Sequence, residues 1–329
     1  MSSPTNNRIE QLLSRFAAGD RLALARLITL VENRSADVAT VMERLYASGG
    51  PAQIIGITGA PGAGKSTLID RLVAKYRARG QQVAVLAIDP SSPFSGGAVL
   101  GDRVRMADHY GDAGVYIRSL STRGSHGGLS RAARQIVTLL EAFKFDVIIV
   151  ETAGVGQTEL AIMDLAQTTV VVTVPEGGDG IQIMKAGLNE IADIFVVNKA
   201  DRDGADRVKA ELELNVHLRP AGGWRPPVLL TQAANGQGID PLVQQLDKHW
   251  DFVRSQIDPA LERQHRAHEF LEILTAQLEE RAKNALDDGA ARELVDAVCA
   301  GRMNPYSAAR MLLDDASAMG ALLSKTAGD

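Results

Sequence analysis

One stretch, residues 53–76, constrains the fold of this chain more than any other. An apolar run is followed by a glycine-rich loop and then by apolar residues at helical spacing, which predicts a strand, a loop and a helix in that order. The loop and the start of the helix match the pattern G-x-x-x-x-G-K-[ST], here Gly59, Ala60, Pro61, Gly62, Ala63, Gly64, Lys65 and Ser66, followed by Thr67. We therefore expect these nine residues to form a nucleotide-binding loop.

The chemistry of this loop follows from its residue types. Glycines let successive backbone N–H groups point inward at a phosphate, and the start of a helix adds its positive dipole end. Lys65 places a positive charge at the β and γ phosphates, which makes it a catalytic candidate, and Ser66 offers a hydroxyl to Mg²⁺. The pattern predicts a nucleoside triphosphate as the ligand.

The region from 49 to 256 alternates strand-like and helical patterns, which predicts an α/β fold. Six apolar, β-branched runs without polar alternation are typical of strands buried on both faces of a parallel sheet. They are Ile54–Thr58, Val83–Ile88, Val147–Val150, Val170–Val174, Ile194–Val197 and Val228–Leu230. We expect a doubly wound, mostly parallel sheet whose ligand binds at the carboxyl ends of the strands.

Helical patterns flank this P-loop domain on both sides. Residues 1–48 predict an N-terminal helical extension, and residues 257–329 predict a C-terminal helical arm with a long amphipathic helix over 261–286. The apolar stripe of that helix needs a cover, either its own domain or a second copy of the chain. Since the P-loop domain is complete without the arm, we favour a dimerisation arm and expect a homodimer.

Composition excludes several classes of protein. The net charge of −5 gives no electrostatic footprint for nucleic acid or an anionic membrane. The single cysteine, Cys299, excludes a disulfide within the chain and suits a reducing compartment. The polar first residues carry no secretory signal pattern, and no apolar run reaches the roughly 18 residues of a membrane span. We expect a cytoplasmic protein that binds neither nucleic acid nor membrane.

The tetrapeptide Asn198-Lys-Ala-Asp201 follows a predicted strand downstream of the P-loop and predicts guanine specificity. A buried carboxylate at Asp201 would accept hydrogen bonds from N1–H and the exocyclic amine of guanine, whereas adenine would leave it unpaired. Asn198 would tie the base to the loop, and Lys199 would lay its stem along the ring. Gln232 and Ala233, after the last strand, would close over the base through backbone groups. The predicted cofactors are GTP and GDP.

Carboxylates at the ends of two further strands predict a magnesium site. Asp89 ends the second strand and Glu151 ends another, so both are metal ligands and catalytic candidates. Asp102 lies beyond a loop that could fold over the phosphates and would complete an oxygen shell with Ser66, Asp89 and Glu151; alternatively, it caps a helix beginning at residue 103. The N–H of Gly154 would meet the γ phosphate and act as a switch.

Four segments together resemble the MeaB family of methylmalonyl-CoA mutase-associated GTPases, a branch of the metallochaperone GTPases. The Asp-Pro-Ser-Ser-Pro run that begins at Asp89 is the most specific of them, and the resemblance covers nearly the whole chain. The segments are 59–66, 89–93 with 101–103, 151–157 and 198–201. The resemblance implies a homodimer that binds an adenosylcobalamin-dependent mutase, gates loading of its cofactor by GTP hydrolysis and protects the mutase from inactivation.

The same resemblance bears on hydrolysis. Val155 stands where Ras-like GTPases place the glutamine that orients water, so GTP hydrolysis by the chain alone is expected to be slow and stimulated by a partner. Gln182 and Lys185, in the glycine-rich loop after the fourth predicted strand run, are the implied candidates for completing the hydrolytic site. Three alternatives remain open: a GTPase that inserts metal into a nickel enzyme, an ATP-dependent kinase linked to arginine transport, and a scaffold with a structural nucleotide.

Overall fold

The computed structural model describes most of the chain. The described residues are 4–33, 35, 37–46, 50–89, 109, 111–121, 126–152, 165–175, 188–219, 223–256, 259–285, 289–315, 317 and 320. They divide into two compact units, 1–255 and 256–329. None of the helices in the described parts of the chain is long and apolar enough to cross a membrane.

The first unit is built on a seven-stranded parallel sheet with the strand order β3-β2-β4-β1-β5-β6-β7. Its strands are β1 Gln53–Gly59, β2 Val83–Asp89, β3 Val115–Ser121, β4 Val147–Thr152, β5 Thr168–Thr173, β6 Ile194–Val197 and β7 Val228–Leu230. The central strand β1 lies between β4 and β5, where the strand order reverses. A ligand is expected at such a reversal, next to the carboxyl end of β1.

Helices flank the sheet within the first unit, and other helices form the second unit. Among the described residues, the α-helices of the first unit are α1 Pro4–Ala17, α2 Arg21–Glu32, α3 Val38–Leu45, α4 Lys65–Ala78, α5 His126–Ala142, α6 Leu188–Ile191, α7 Ala205–His217 and α8 Ile239–Ser255. The second unit contains α9 Pro259–Ala285, α10 Gly289–Cys299 and α11 Pro305–Asp314.

Helices pack on both faces of the parallel sheet, which confirms the predicted doubly wound α/β fold. Alternate residues of each strand face opposite sides. On β4, Ile148 and Val150 belong to a cluster that includes α1, α2, α3 and α5. Val147 and Ile149 belong to the cluster that includes α4 and α8. Because both faces are buried, the strands are almost continuously apolar, as in other parallel sheets.

The edge strand β3 escaped the sequence prediction because its pattern differs from that of the other strands. It pairs in parallel with β2 over its whole length, yet it contains Arg118, Ser119 and Ser121 among its apolar residues. Arg118 donates hydrogen bonds to Thr29 and Glu32 of α2. Arg21, also on α2, donates to the carbonyl of Val115 at 2.8 Å. Polar residues are tolerated in β3 because an N-terminal helix, rather than another strand, supplies their partners.

A cluster of polar and aromatic side chains lies at the amino ends of the strands, where β5 and β6 begin. We call it the amino-edge cluster; it comprises Thr168, Asp193, Trp224, His249 and Phe252. The hydroxyl of Thr168 lies 2.8 Å from His249 Nδ1, and His249 Nε2 lies 3.4 Å from Asp193 Oδ1. The Trp224 ring stands edge-on to the imidazole at 4.6 Å, and Phe252 also packs against it.

Burial governs titration in this cluster. Only 3% of His249 is exposed, and desolvation lowers the pKa of its imidazole to about 4. Desolvation likewise raises the pKa of Asp193 to about 6, although a hydrogen bond from the Thr169 backbone N–H partly opposes that shift. Near neutral pH the imidazole is therefore uncharged.

Candidate functional site

The P-loop adopts a backbone that only glycine accommodates at its key positions. Gly59 has φ +137°, and a Cβ there would lie 2.0 Å from the carbonyl oxygen of Val172 on β5. Gly62 and Gly64 have φ +78° and +89°, in the left-handed region. Helix α4 begins at Lys65, directly after this loop. The motif thus lies between β1 and α4, as its sequence predicts.

The amine of Lys65 lies within the loop. It donates hydrogen bonds to the carbonyls of Gly59 at 2.7 Å and Ala60 at 3.2 Å, and the residue is 6% exposed. These carbonyls hold a positive charge at the mouth of the loop, where phosphates bind in P-loop proteins. Lys65 is therefore positioned by two backbone acceptors before any phosphate arrives.

Ser66 and Glu151 meet at the base of the loop. The Ser66 hydroxyl donates to Glu151 Oε1 at 2.9 Å, and both residues are buried. Register places Glu151 beside Ile57 of β1 and Ala87 of β2, and Asp89 ends β2 two residues after Ala87. A hydroxyl and a carboxylate are hard oxygen donors, so this pair fits Mg²⁺. A second buried pair, in which Thr152 donates to Thr58 at 2.9 Å, connects the carboxyl ends of β4 and β1.

Asn198, at the end of β6, contacts two other segments of the chain through one buried side chain. Its amide nitrogen donates to the carbonyl of Ala63 in the P-loop at 2.8 Å. Its amide oxygen accepts from the Thr231 hydroxyl at 3.0 Å and from the Ala233 N–H at 3.1 Å, both after β7. A Cβ on Gly64 would lie 2.4 Å from this amide nitrogen. One asparagine therefore fixes the phosphate loop relative to the segment after β7.

Lys199 and Asp201 complete the tetrapeptide at the end of β6. Lys199 has φ +57°, and its amine donates to the carbonyl of Gly62 at 2.8 Å, so its stem spans from β6 to the P-loop. The expectation of a buried carboxylate at Asp201 is wrong for the protein alone, because the residue is exposed. Within the described parts of the chain, its carboxylate accepts no hydrogen bond and forms no ion pair. The carboxylate is thus accessible to a base.

The segment after β7, residues 231–237, is called the base loop. The Gln232 N–H donates to the Gln237 carbonyl at 3.0 Å, and the Ala233 N–H is used by Asn198. Both N–H groups therefore bond within the protein, and the predicted closure of these residues over guanine remains a prediction. Arg71 of α4, which sequence reasoning missed, also holds this loop. Its guanidinium donates to the carbonyls of Ala233 and Ala234 at 3.1 and 2.9 Å.

Part of the predicted site lies outside the described residues. Asp102, Gly154, Gln182 and Lys185 belong to this group, as does the side chain of Asp89. Among the residues that the structure does describe, no group of three or more His, Cys, Asp or Glu side chains could hold a metal ion. The structure brings together Lys65, Ser66, Glu151 and Asn198, and the metal roles of Asp89 and Asp102 stay predictions.

Comparisons with known proteins agree with this geometry. The family model described as methylmalonyl Co-A mutase-associated GTPase MeaB matches residues 24–287. The chain is 46% identical over 312 residues to a Pyrococcus abyssi protein that is provisionally named a GTPase, covering 93% of this chain and 96% of that one. It is 35% identical to GTPase ArgK of Escherichia coli, covering 84% and 86%.

A solved structure extends the likeness to three dimensions. The crystal structure of an LAO/AO transport system kinase is 27% identical, covers 95% of this chain and 98% of its own, and has a TM-score of 0.66. The match to the family model covers both the P-loop and the tetrapeptide of this chain, and the two relatives carry the name of GTPases. This chain belongs to the MeaB family of P-loop GTPases and is a guanine nucleotide-binding enzyme that hydrolyses GTP.

Proposed function

We propose that this GTPase is a homodimeric chaperone of an adenosylcobalamin-dependent acyl-CoA mutase, either methylmalonyl-CoA mutase or a related enzyme. The observation that carries the proposal is the family match over residues 24–287, since that family is described as mutase-associated. A mouse protein named methylmalonic aciduria type A homolog, mitochondrial, adds support: it is 36% identical over 273 residues, which are 77% of this chain and 64% of that protein. In this role, GTP hydrolysis gates cofactor loading and protects the mutase from inactivation.

The nucleotide site supports a GTP-driven cycle. Lys65 moves from the carbonyls of Gly59 and Ala60 to the β and γ phosphates, which accept the same hydrogen bonds with more charge. Ser66 and Glu151 hold Mg²⁺, with Asp89 and Asp102 as further ligands. The ion, when bound, neutralises charge that develops on the phosphate oxygens. Asp201 takes the two guanine donors, and Lys199 covers one face of the base.

Hydrolysis in this proposal depends on the partner. Because Val155 has no group that can orient water, turnover by the chain alone is slow. Docking of the mutase brings Gln182 and Lys185 to the γ phosphate and completes the hydrolytic site. The N–H of Gly154 holds the γ phosphate, and loss of that phosphate releases the segment and reports the state of the nucleotide to the partner.

The C-terminal unit supports the proposed homodimer. Helix α9 spans 27 residues, and several of its large apolar side chains are exposed. They are Phe270, Leu271, Ile273, Leu274 and Leu278. An exposed apolar stripe of this length is typical of an interaction surface, and a second copy of the chain would bury it. Sedimentation equilibrium of the wild type and of Leu274→Glu checks this: a dimer and a weakened dimer are expected, whereas a monomeric wild type contradicts the proposal.

A kinase is the second candidate, because the matched crystal structure bears the name of a transport system kinase. A kinase that uses ATP would need to accept adenine at the end of β6. Asp201 would then face a base with no donor at N1, and the carboxylate would lose two hydrogen bonds. Formation of ADP from ATP, measured beside formation of GDP from GTP, separates the two functions.

The deciding experiment is GTP turnover by the purified chain, alone and with an adenosylcobalamin-dependent methylmalonyl-CoA mutase. We expect slow turnover alone, a rise of at least about tenfold with the mutase, as partner-completed GTPase sites show, and no turnover of ATP. Gln182→Ala and Lys185→Ala should remove the rise and leave the slow rate. If the mutase neither binds nor accelerates turnover, the chaperone role fails and the GTPase assignment stands.

A further inference from the structure

Arg71 lies on the helix of the phosphate loop but contacts the base loop. It is four residues after Thr67, one helical turn further along the exposed side of α4. Its Nε donates to the Ala233 carbonyl at 3.1 Å, and its Nη2 donates to the Ala234 carbonyl at 2.9 Å. The planar guanidinium holds these two successive carbonyls through two separate nitrogens in a fixed geometry, whereas a lysine offers one amine on a flexible stem.

The two carbonyls belong to the part of the base loop that Asn198 holds from the other side. The Ala233 N–H donates to Asn198 Oδ1 at 3.1 Å, so Ala233 is fixed through its N–H by Asn198 and through its carbonyl by Arg71. The loop is also tied to the tetrapeptide, since the Ala200 N–H donates to the Thr231 carbonyl at 3.0 Å. The position of the base loop therefore depends on both the phosphate helix and the residues that read guanine.

The short helix Ala233–Asn235 is buried only through Ala233. It is one turn long, ends at Gly236 with φ +74°, and is closed by the backbone pairing of Gln232 with Gln237. Ala234 is exposed. A single turn of this kind has little intrinsic stability, so its position depends on contacts from outside it, and Arg71 supplies two of them.

We infer that Arg71 is a positioning residue for nucleotide binding: it clamps the base loop to the phosphate helix and sets the loop at the distance from the P-loop that a base-bearing nucleotide requires. The inference rests on the proposed base site. Arg71 acts only through the loop, so ligands that carry a purine should depend on it, and a ligand made of phosphate alone should not.

The test compares three competitors of a fluorescent GDP: GDP, inosine diphosphate and inorganic tripolyphosphate. Arg71→Met keeps the length of the side chain and removes both donors, and Arg71→Lys keeps one. Arg79→Met is the matched control, because Arg79 is an exposed arginine at the C-terminal cap of this helix and pairs with Asp247 at 2.8 Å. Asp201→Ala, which removes the carboxylate that reads the exocyclic amine of guanine, tests the base site itself.

We expect Arg71→Met to lower the affinity for both GDP and inosine diphosphate by about five- to tenfold, the effect of two modest hydrogen bonds. Arg71→Lys should lower both affinities by less. The affinity for tripolyphosphate should not change in either variant. Asp201→Ala should abolish the preference for GDP over inosine diphosphate, because hypoxanthine lacks that amine. Arg79→Met should match the wild type throughout.

Two outcomes overturn the inference alone. In one, Arg71→Met binds GDP as tightly as Arg79→Met does; in the other, it loses tripolyphosphate by the same factor as GDP, which would be the mark of a general structural role. If Asp201→Ala keeps the full preference for GDP over inosine diphosphate, the proposed base site fails, and the inference that rests on it fails with it.

Discussion

The two edges of the sheet bury polar groups in different ways. At the carboxyl edge, Lys65, Lys199 and Asn198 donate to backbone carbonyls of the P-loop. At the amino edge, Thr168, Asp193 and His249 lie against one another beneath aromatic rings. Donors that bond to loop carbonyls can exchange those acceptors for a phosphate or a base. Side chains that satisfy one another under a hydrophobic cover cannot, so only the carboxyl edge is suited to a ligand.

Electrostatics follows the same division. Desolvation dominates at the amino edge, where it lowers the pKa of His249 and raises the pKa of Asp193. Both shifts favour the uncharged forms. At the carboxyl edge the carboxylate of Asp201 is exposed and remains available for two donors of a base. The amino edge thus favours the uncharged forms of its side chains, whereas the carboxyl edge exposes a carboxylate.

The largest expected effect comes from replacing Asp201, the exposed carboxylate at the carboxyl edge. Asp201→Asn exchanges a carboxylate for an amide, which opposes the guanine amine with its own N–H donors but matches the C2 carbonyl of xanthine. We expect GDP affinity to fall at least about 100-fold and xanthosine diphosphate to become the preferred ligand, with thermal stability unchanged because the residue is exposed. Competition binding with both nucleotides measures this, and retention of GDP preference would contradict it.

Asn198→Ala should damage binding and stability together. The substitution leaves the Ala63 carbonyl, the Thr231 hydroxyl and the Ala233 N–H without their partner in a buried place. At about 1–3 kcal/mol for each unsatisfied buried group, partly relieved by water, we expect about 3 kcal/mol less free energy of unfolding and weaker GDP binding. Urea unfolding and calorimetry measure the two losses. A loss of affinity at full stability would show that Asn198 acts on the ligand only.

A matched pair of glycines isolates the contact between Asn198 and the P-loop. Gly62 and Gly64 both have positive φ, so alanine strains either position. A Cβ at Gly64 also meets Asn198 Nδ2 at 2.4 Å, whereas a Cβ at Gly62 meets nothing within 4 Å. We expect Gly64→Ala to lower the free energy of unfolding by about 1–2 kcal/mol more than Gly62→Ala does. Equal losses in urea unfolding would mean that Asn198 shifts aside freely.

The smallest effect concerns the amino edge and its dependence on pH. The pKa of folded His249, about 4, lies below its ordinary 6.5, so its contribution is present above pH 6.5 and is lost as the pH falls towards 4. The pKa of folded Asp193, about 6, lies above its ordinary 3.8, so its contribution grows as the pH falls from 6 to 3.8. The two contributions oppose each other between pH 6 and pH 4.

Asp193→Asn removes the carboxyl group whose contribution to stability offsets the loss from His249 as the pH falls. The amide keeps an acceptor for the Thr169 N–H. Between pH 7 and pH 5 the variant should lose about 1 kcal/mol more free energy of unfolding than the wild type. Urea unfolding at the two pH values measures the difference. Asp247→Asn, which removes an exposed carboxylate paired with Arg79, is the control and should follow the wild type. Parallel behaviour of Asp193→Asn and the wild type would contradict the account.

The sequence predicted those parts of the molecule that are short and contiguous. The P-loop and the tetrapeptide from Asn198 to Asp201 each lie within a few residues, so their spacing alone indicates both structure and chemistry. Six of the strands were predicted because strands buried on both faces are apolar throughout. The edge strand β3 was missed since its polar residues bond to α2, a partner that no local pattern announces.

Contacts between distant parts of the chain could not be predicted in this way. Arg71 and Ala233 are 162 residues apart, and an arginine on the exposed side of a helix carries no signal that it will clamp a loop. The buried state expected for Asp201 failed for a related reason. The described residues leave Asp201 exposed, and in the proposed function the base itself is its cover.

The most direct test of the account is the comparison of GDP and ADP affinity for the wild-type chain by calorimetry. Because Asp201, Lys199 and the base loop all lie at the carboxyl edge beside the P-loop, GDP should bind at least about 100-fold more tightly than ADP. Equal affinities would mean that the carboxyl edge binds phosphates without reading the base, and the central claim that Asn198 joins a phosphate site to a guanine site would be wrong.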